Sequence, residues 1–318
     1  MLKILYAGSP SASALVLELL LQDKKISAAG CAIVGVLTNP PAARGRHHVP
    51  VPTPVEVAAS NAKIPVFTPV HLDSALREQI VPLRADILVC FAYGHIFGPK
   101  FLSLFPAGAV NLHPSLLPKY RGCTPVPAAI FNRDKETGVS VQKIVQELDA
   151  GDIILQQKII LAGTETTGSL LNRCAHEGAV LLSDILCRTS VTGLLPPAVP
   201  QSGEVSYTGM MTKEEGHIDW TRTALEIDAR IRACTPEPGC WTTNVDRVLR
   251  ILTAHAEPEM QSDVAPGTVT AYDRKKGILI CTGAGLLAVT ELQWQTKTVM
   301  NCMDFMNGCH NFVGTVLQ

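Results

Sequence analysis

The feature that most constrains this chain is an alternation of uninterrupted apolar runs with helical segments across its first half. Residues 2–7 read as a buried strand, Gly8-Ser9-Pro10 as a turn, and residues 11–22 as a helix with Leu15, Val16 and Leu19 on one face. Residues 32–37, 86–92 and 109–112 read as further apolar strands and 74–81 as a helix. Strands that are apolar without alternation are buried on both faces, which specifies a parallel sheet covered by helices. The expected first domain is therefore α/β and Rossmann-like, with ligands beyond the carboxyl ends of its strands. Residues 137–145 and 153–161 alternate as half-exposed strands do, and 167–188 form a long amphipathic helix.

The pattern changes at residues 193–206, where Pro196, Pro197 and Pro200 precede Gln201-Ser202-Gly203. That composition reads as an interdomain linker. Beyond it come a helix over 223–233 and short strand signals at 247–253, 267–271, 277–282 and 286–292, a pattern expected of a small β-barrel. The expected organisation is a catalytic domain over 1–193, a linker over 194–206 and a C-terminal domain over 207–318.

Composition removes several classes. Lys and Arg total 27 against 28 Asp and Glu, a net charge of -1, so no chain-wide basic footprint for nucleic acid exists. The part after the linker carries a net -3 and the remainder +2. Hydrophobic residues make up 47%, which excludes global disorder. The 10 cysteines are scattered, with no CxxC pair and no metal-ligand spacing, so free thiols in a reducing cytosol and no bound metal are expected. Neither a signal peptide nor an apolar run of about 18 residues is present, which predicts a cytoplasmic protein that does not enter the membrane.

The chemically informative stretch is Asn111-Leu112-His113-Pro114-Ser115-Leu116-Leu117-Pro118, at the expected carboxyl end of a strand. Asn111 and His113 are two apart and share one side of an extended chain. An amide can hold a developing oxyanion while an imidazole stabilises charge and moves protons, which suits acyl transfer. A nearby carboxylate would orient the imidazole and favour its charged form, and Asp149 in Leu148-Asp149-Ala150-Gly151 is the candidate. A structural pair at a strand end would show the same Asn-x-His spacing.

Asn-x-His-x-Ser-Leu-Leu-Pro followed by Leu-Asp-x-Gly resembles the folate-dependent formyltransferases, within them the branch that acts on an aminoacyl-tRNA. Gly8-Ser9-Pro10, the run 88–94 ending in Ala92-Tyr93-Gly94, and Arg121-Gly122-Cys123-Thr124-Pro125 resemble the same family. So do Lys213-Glu214-Glu215 through Trp220 and residues 231–242 in the second half. The match spans nearly the whole chain.

The resemblance implies direct transfer of a formyl group from N10-formyltetrahydrofolate to the α-amine of methionine on the initiator tRNA, Met-tRNA. By motif, Asn111, His113 and Asp149 form the catalytic trio. Asn111 and His113 would stabilise the oxyanion, and Asp149 would orient His113, support its protonated form and help position a water. Ser115, Leu116, Leu117 and Pro118 correspond to the folate-binding segment, with Leu88, Val89, Phe91, Ala92 and the loop to Asp152 forming the slot. Apolar residues on a buried strand are equally what a core requires. Tyr93, His95, Lys119, Tyr120 and Arg121 are further cleft candidates.

The family fold also implies an OB-like β-barrel at the C-terminus. A basic loop would hold the acceptor stem through Arg44, Arg46, His47 and His48. In this sequence Arg46 replaces the usual Lys, His47 and His48 stand where a basic residue is usual, and Asn39-Pro40-Pro41 replaces Gln-Pro-Asp. A solvated Arg/Pro loop is the plain alternative. A sugar or nucleotide-sugar N-formyltransferase, or glycinamide ribonucleotide formyltransferase, would keep the same trio. The basic loop and the second-domain signature favour tRNA over both. A non-catalytic folate- or tRNA-binding protein would have no need of the trio.

Overall fold

A computed structural model describes residues 1–44 and 49–318. The chain opens with β1 (Leu2–Gly8), α1 (Ser11–Gln22), α2 (Lys24–Ala28), β2 (Cys31–Leu37), β3 (Ala42–Arg44), β4 (Val49–Val51), α3 (Pro54–Asn61), β5 (Val66–Phe67) and α4 (Ser74–Ile80). It continues through β6 (Ile87–Phe91), α5 (Pro99–Leu102), β7 (Gly108–His113), β8 (Arg121–Gly122), α6 (Pro125–Phe131), β9 (Glu136–Lys143), β10 (Ile153–Ile160), α7 (Thr167–Thr192) and β11 (Tyr207–Thr208). The remainder holds α8 (Ala224–Ala233), β12 (Cys240–Asn244), β13 (Arg247–Glu257), β14 (Val269–Asp273), β15 (Gly277–Cys281), β16 (Leu286–Trp294), β17 (Met300–Asn301) and α9 (Cys302–Gly308).

Two compact units result. The first takes residues 1–125, 136–160 and 171–208, and the second takes 126–135, 161–170 and 209–318. The division is thus not purely sequential, because two short internal segments group with the C-terminal part. Residues 194–206 do not behave as a free tether. Val199 exchanges backbone hydrogen bonds with Ile153 at 2.8 and 2.9 Å, and Ser206 accepts from Arg121 N–H at 2.8 Å.

The first unit is built on a seven-stranded sheet of order β10-β9-β7-β6-β1-β2-β5. β1, β2, β5, β6 and β7 run parallel, as their buried apolar sequences require. β9 is antiparallel to both β7 and β10, so the sheet is mixed rather than wholly parallel. The reason is topological. His113 pairs with Ser140, so β9 begins beyond the carboxyl end of β7. A chain that starts a new strand at the end where the previous one stopped must run back antiparallel, because a parallel strand needs a long crossover. The register places Leu37, Ala7, Cys90, Asn111, Gln142 and Ile153 in one row across the sheet. Asn111 therefore lies beside Gln142.

In the second unit α8 starts with a reciprocal cap between Thr223 and Glu226. It packs on β13 and β16. Ile227, Ile231, Leu249, Ile251, Val289 and Phe305 join there in one buried cluster. Burying each Ile, Val or Leu side chain contributes about 1.5–3 kcal/mol. The strand order is β12-β13-β16-β15-β14, with β17 on β16. Among the described residues no strand pairing joins β12 to β14, so the sheet is not closed as a barrel would require. The last residues reach both edges instead. Thr243 and Gln318 exchange backbone bonds at 2.7 and 2.9 Å, and Leu317 N–H donates to Gly267 at 2.9 Å. Among the described residues no helix is long and apolar enough to cross a membrane.

Candidate active site

Asn111, His113 and Asp149 converge. Asn111 and His113 project from β7 on one face, and Asp149 comes from the loop of the β9–β10 hairpin. Asn111 Nδ2 donates to Asp149 Oδ1 at 3.3 Å, and Gln142 Nε2 donates to the same oxygen at 2.9 Å. His113 Nδ1 lies 3.6 Å from Asp149 Oδ2, and the side chains are only 5% and 12% exposed. That separation is an ion-pair distance and too long for a hydrogen bond. Gln142 was not legible as a site residue, although a glutamine in the buried strand Val139-Ser140-Val141-Gln142 is itself a signal that a polar partner faces it.

Asp149 is held by its backbone as firmly as by its side chain. Its φ is +50°, a left-handed conformation that Asp tolerates better than most residues. Gly122 N–H donates to Oδ2 at 2.9 Å. Two residues on, a Cβ at Gly151 would sit 1.8 Å from the Lys143 carbonyl oxygen, so the loop closes against β9 only because position 151 is glycine. This is the physical content of the Leu-Asp-x-Gly motif. Gln201, from the stretch expected to be a linker, donates through Nε2 to the carbonyls of Asp149 and Gly151, both at 2.8 Å.

His113 is oriented chiefly by another group. Its Nε2 lies 2.8 Å from the Tyr120 carbonyl oxygen, which can only accept, so Nε2 carries the hydrogen. Burial is the largest influence on this imidazole and holds its pKa below the ordinary value, against the opposing pull of Asp149 and the Tyr120 carbonyl. A neutral ring with hydrogen on Nε2 leaves the Nδ1 lone pair free, facing the Asp149 carboxylate. The resemblance implied that Asp149 orients the ring; here the ring's hydrogen-bond partner is the Tyr120 carbonyl, and Asp149 lies at ion-pair distance from Nδ1.

The segment 115–118 is anchored from within. Ser115 Oγ donates to the Lys119 carbonyl at 2.6 Å, and Ser140 Oγ donates to the Ser115 carbonyl at 2.6 Å. Leu117 N–H donates to Ser140 Oγ at 3.2 Å, its carbonyl accepts from Gln156 at 3.2 Å, and the Pro118 carbonyl accepts from Ser206 N–H at 3.3 Å. These backbone groups are therefore committed. Leu88, Val89 and Phe91 are fully buried in β6, where Leu88 belongs to the sheet core with Leu5, Ala7 and Phe97. Ala92, just past β6, is exposed with φ +52°, and Leu148 beside Asp149 is half exposed. Leu116 and Asp152 are partly exposed. Asn39, at the start of the Pro/Arg loop, accepts through Oδ1 from His95 Nε2 at 2.8 Å and donates through Nδ2 to the Tyr93 carbonyl at 3.1 Å.

Arg44 ends β3, whose pairing with β4 runs Ala42 to Val51 and Arg44 to Val49. Arg46, His47 and His48 lie outside the described residues. Among the described residues no group of three His, Cys, Asp or Glu side chains could hold a metal ion.

A strand-end amide, a buried imidazole and a carboxylate thus come together at the edge of a mixed α/β sheet. The formyl transferase profile matches residues 2–186, and the formyl transferase C-terminal domain profile matches residues 210–310. The methionyl-tRNA formyltransferase of Treponema denticola is 41% identical over 98% of each chain. That of Roseiflexus castenholzii is 38% identical over 96% of each. The chain belongs to the formyl transferase family, among the methionyl-tRNA formyltransferases. Two solved structures share the fold. An N-formyltransferase from Helicobacter canadensis, crystallised with folinic acid and dTDP-3-aminofucose, has TM-score 0.63 and 21% identity over 91% of this chain and 99% of its own. HypX from Aquifex aeolicus, in complex with tetrahydrofolic acid, has TM-score 0.63 and 15% identity over 98% of this chain, which spans 48% of HypX.

Proposed function

We propose that this protein transfers the formyl group of N10-formyltetrahydrofolate to the α-amino group of methionine on initiator Met-tRNA, in the cytoplasm, for translation initiation. Full-length relatives that carry that activity in their names support the reading, at 41% and 38% identity. The structural observation that carries it is the amide of Asn111. Its nitrogen has two hydrogens and gives one to Asp149, so the second is free for a substrate oxygen beside His113.

The cosubstrate supplies a formyl carbon that an uncharged amine attacks, and negative charge develops on the formyl oxygen. The second hydrogen of Asn111 meets that charge, the type of contact whose loss costs about 100- to 1000-fold in turnover. His113 begins neutral because it is buried, so its Nδ1 can take the proton the amine sheds. Asp149, 3.6 Å away, then balances the imidazolium, which returns that proton to N10 as the bond from the formyl carbon to N10 breaks and tetrahydrofolate leaves. The Tyr120 carbonyl keeps the ring in place throughout. No side chain is acylated. For the folate itself, the flat π-face of its ring finds apolar surface in Ala92 and Leu148, with Leu116 and Asp152 at its margins. Fully buried Leu88 and Phe91 would support that wall from beneath.

For the acceptor, Arg44 and Arg46, with His47 and His48, are the cations we assign to the tRNA end, by phosphate contact or stacking on unpaired bases. The C-terminal β domain, read as OB-like, is assigned the second tRNA surface. The test is formylation by purified protein with N10-formyltetrahydrofolate and, separately, charged initiator tRNA, a nucleotide sugar and glycinamide ribonucleotide. Formyl-Met-tRNA is the expected product. Formylation of either small acceptor without Met-tRNA would overturn the assignment.

A further inference from the structure

Gln142 and Gln201 stand between a buried cation and the carboxylate of the site, and their amides point the same way. Arg121 is buried, and its Nε and Nη2 both donate to Gln201 Oε1, at 3.1 and 2.8 Å. Gln201 Nε2 lies 3.1 Å from Gln142 Oε1. Gln142 Nε2 in turn donates to Asp149 Oδ1 at 2.9 Å. Neither amide can be turned around. Arg121 has donors only, so the Gln201 oxygen must face it. The Asp149 and Gly151 carbonyls have acceptors only, so the Gln201 nitrogen must face them. The Asp149 carboxylate likewise fixes the direction of Gln142. The two hydrogens of Gln201 Nε2 go to the nearer Asp149 and Gly151 carbonyls, which leaves Gln142 Oε1 as its more distant neighbour. Glu147 and the Tyr207 hydroxyl hold the other end of Arg121, both through Nη1, at 3.3 and 3.2 Å.

We infer that Gln201 is a positioning residue for catalysis, locking the Asp149 loop through the Asp149 and Gly151 carbonyls. Resting on the formyl transfer proposed above, this gives residues 194–206 a role in the first unit that a connecting segment would not need. The donor side of Gln201 carries the role, and its acceptor side only orients the donor.

Two variants of the full-length protein separate those sides. Gln201→Met keeps the length and loses both. Gln201→Glu keeps an oxygen for Arg121, with a charge that strengthens that contact, but places a carboxylate against the Asp149 and Gly151 carbonyls. Steady-state kinetics with N10-formyltetrahydrofolate and Met-tRNA should show kcat down by about 10- to 100-fold in both, since a reacting group displaced by about 1 Å costs that order. KM for each substrate should stay within about twofold, the signature of lost transition-state alignment rather than lost binding. Circular dichroism checks folding, and Gln201→Glu, which retains the Arg121 anchor, carries the test should Gln201→Met unfold. Near-wild-type kcat in Gln201→Glu would overturn the inference, because the Arg121 tether alone would then suffice. A rise in KM with kcat unchanged in both variants would overturn it equally. An inactive wild-type protein in the same assay would instead strike the underlying formyl-transfer reading.

Discussion

On the mechanism proposed above, two demands meet at His113: the ring must be uncharged to accept a proton, and a carboxylate must wait nearby to balance it afterwards. Burial supplies the first by holding the pKa below the usual 6.5. The sign of its effect on stability follows. The unfolded chain protonates this histidine near pH 6.5, while the folded protein resists until a lower pH. The unfolded state thus binds more protons in that window, and stability falls as pH drops through it. The thermal midpoint of the wild type should therefore fall further between about pH 7.5 and about pH 5.5 than that of His113→Gln. Equal falls would mean that the buried ring does not titrate as described. Asn111 and His113 were legible in the sequence because their chemistry and spacing are local, and Asp149, 38 residues from Asn111, because it sits in the motif Leu148-Asp149-Ala150-Gly151. Gln142 and Gln201 were not. An amide announces no particular partner, and the one that matters to Gln201 lies 52 residues away for the Asp149 carbonyl. The Tyr120 carbonyl was invisible for a different reason, since main-chain acceptors occur at every residue.

Among the elements, the β9–β10 hairpin is the one on which the site depends. Its loop returns Asp149 to the level of Asn111 through a left-handed residue and a close approach at Gly151. Gly151→Ala should open that loop, because the added carbon would meet the Lys143 backbone, which cannot yield as a flexible side chain would. Turnover is expected to fall by about 100-fold, the scale of a 1 Å displacement of a reacting group, and rapid kinetics would read it directly. Unchanged turnover in a folded Gly151→Ala protein would show that the hairpin tolerates a wider loop. The parallel strands were readable from their unbroken apolar sequences, whereas the reversal of β9 was not. Strand direction is decided by where the connection ends, and nothing in Glu136–Lys143 itself encodes it. The barrel expected at the C-terminus met the same limit. Short strands and turns identify a β domain, but closure depends on pairings between distant edges. Here the final residues, and not a strand pair, contact β12 and the segment before β14.

Over the whole molecule, a net charge of -1 leaves little long-range attraction for a polyanion. On the reading proposed above, recognition of tRNA by such a protein rests on shape and on a few placed cations. Arg44→Ala should raise KM for Met-tRNA and leave KM for the folate unchanged. If Arg44 meets a phosphate, the slope of log KM against log salt should also fall by about 0.7–0.9, the value for one lost contact. A change in folate KM alone would move Arg44 out of the tRNA site. In the proposed mechanism formyl passes directly between the substrates, with Asn111 meeting the charge on the formyl oxygen. Single-turnover transfer by Asn111→Ala, with both substrates saturating, tests it most directly. The result expected is a rate about 100- to 1000-fold below wild type with both substrates still bound. A rate within about threefold of wild type, far less than the loss of one oxyanion donor, would contradict it.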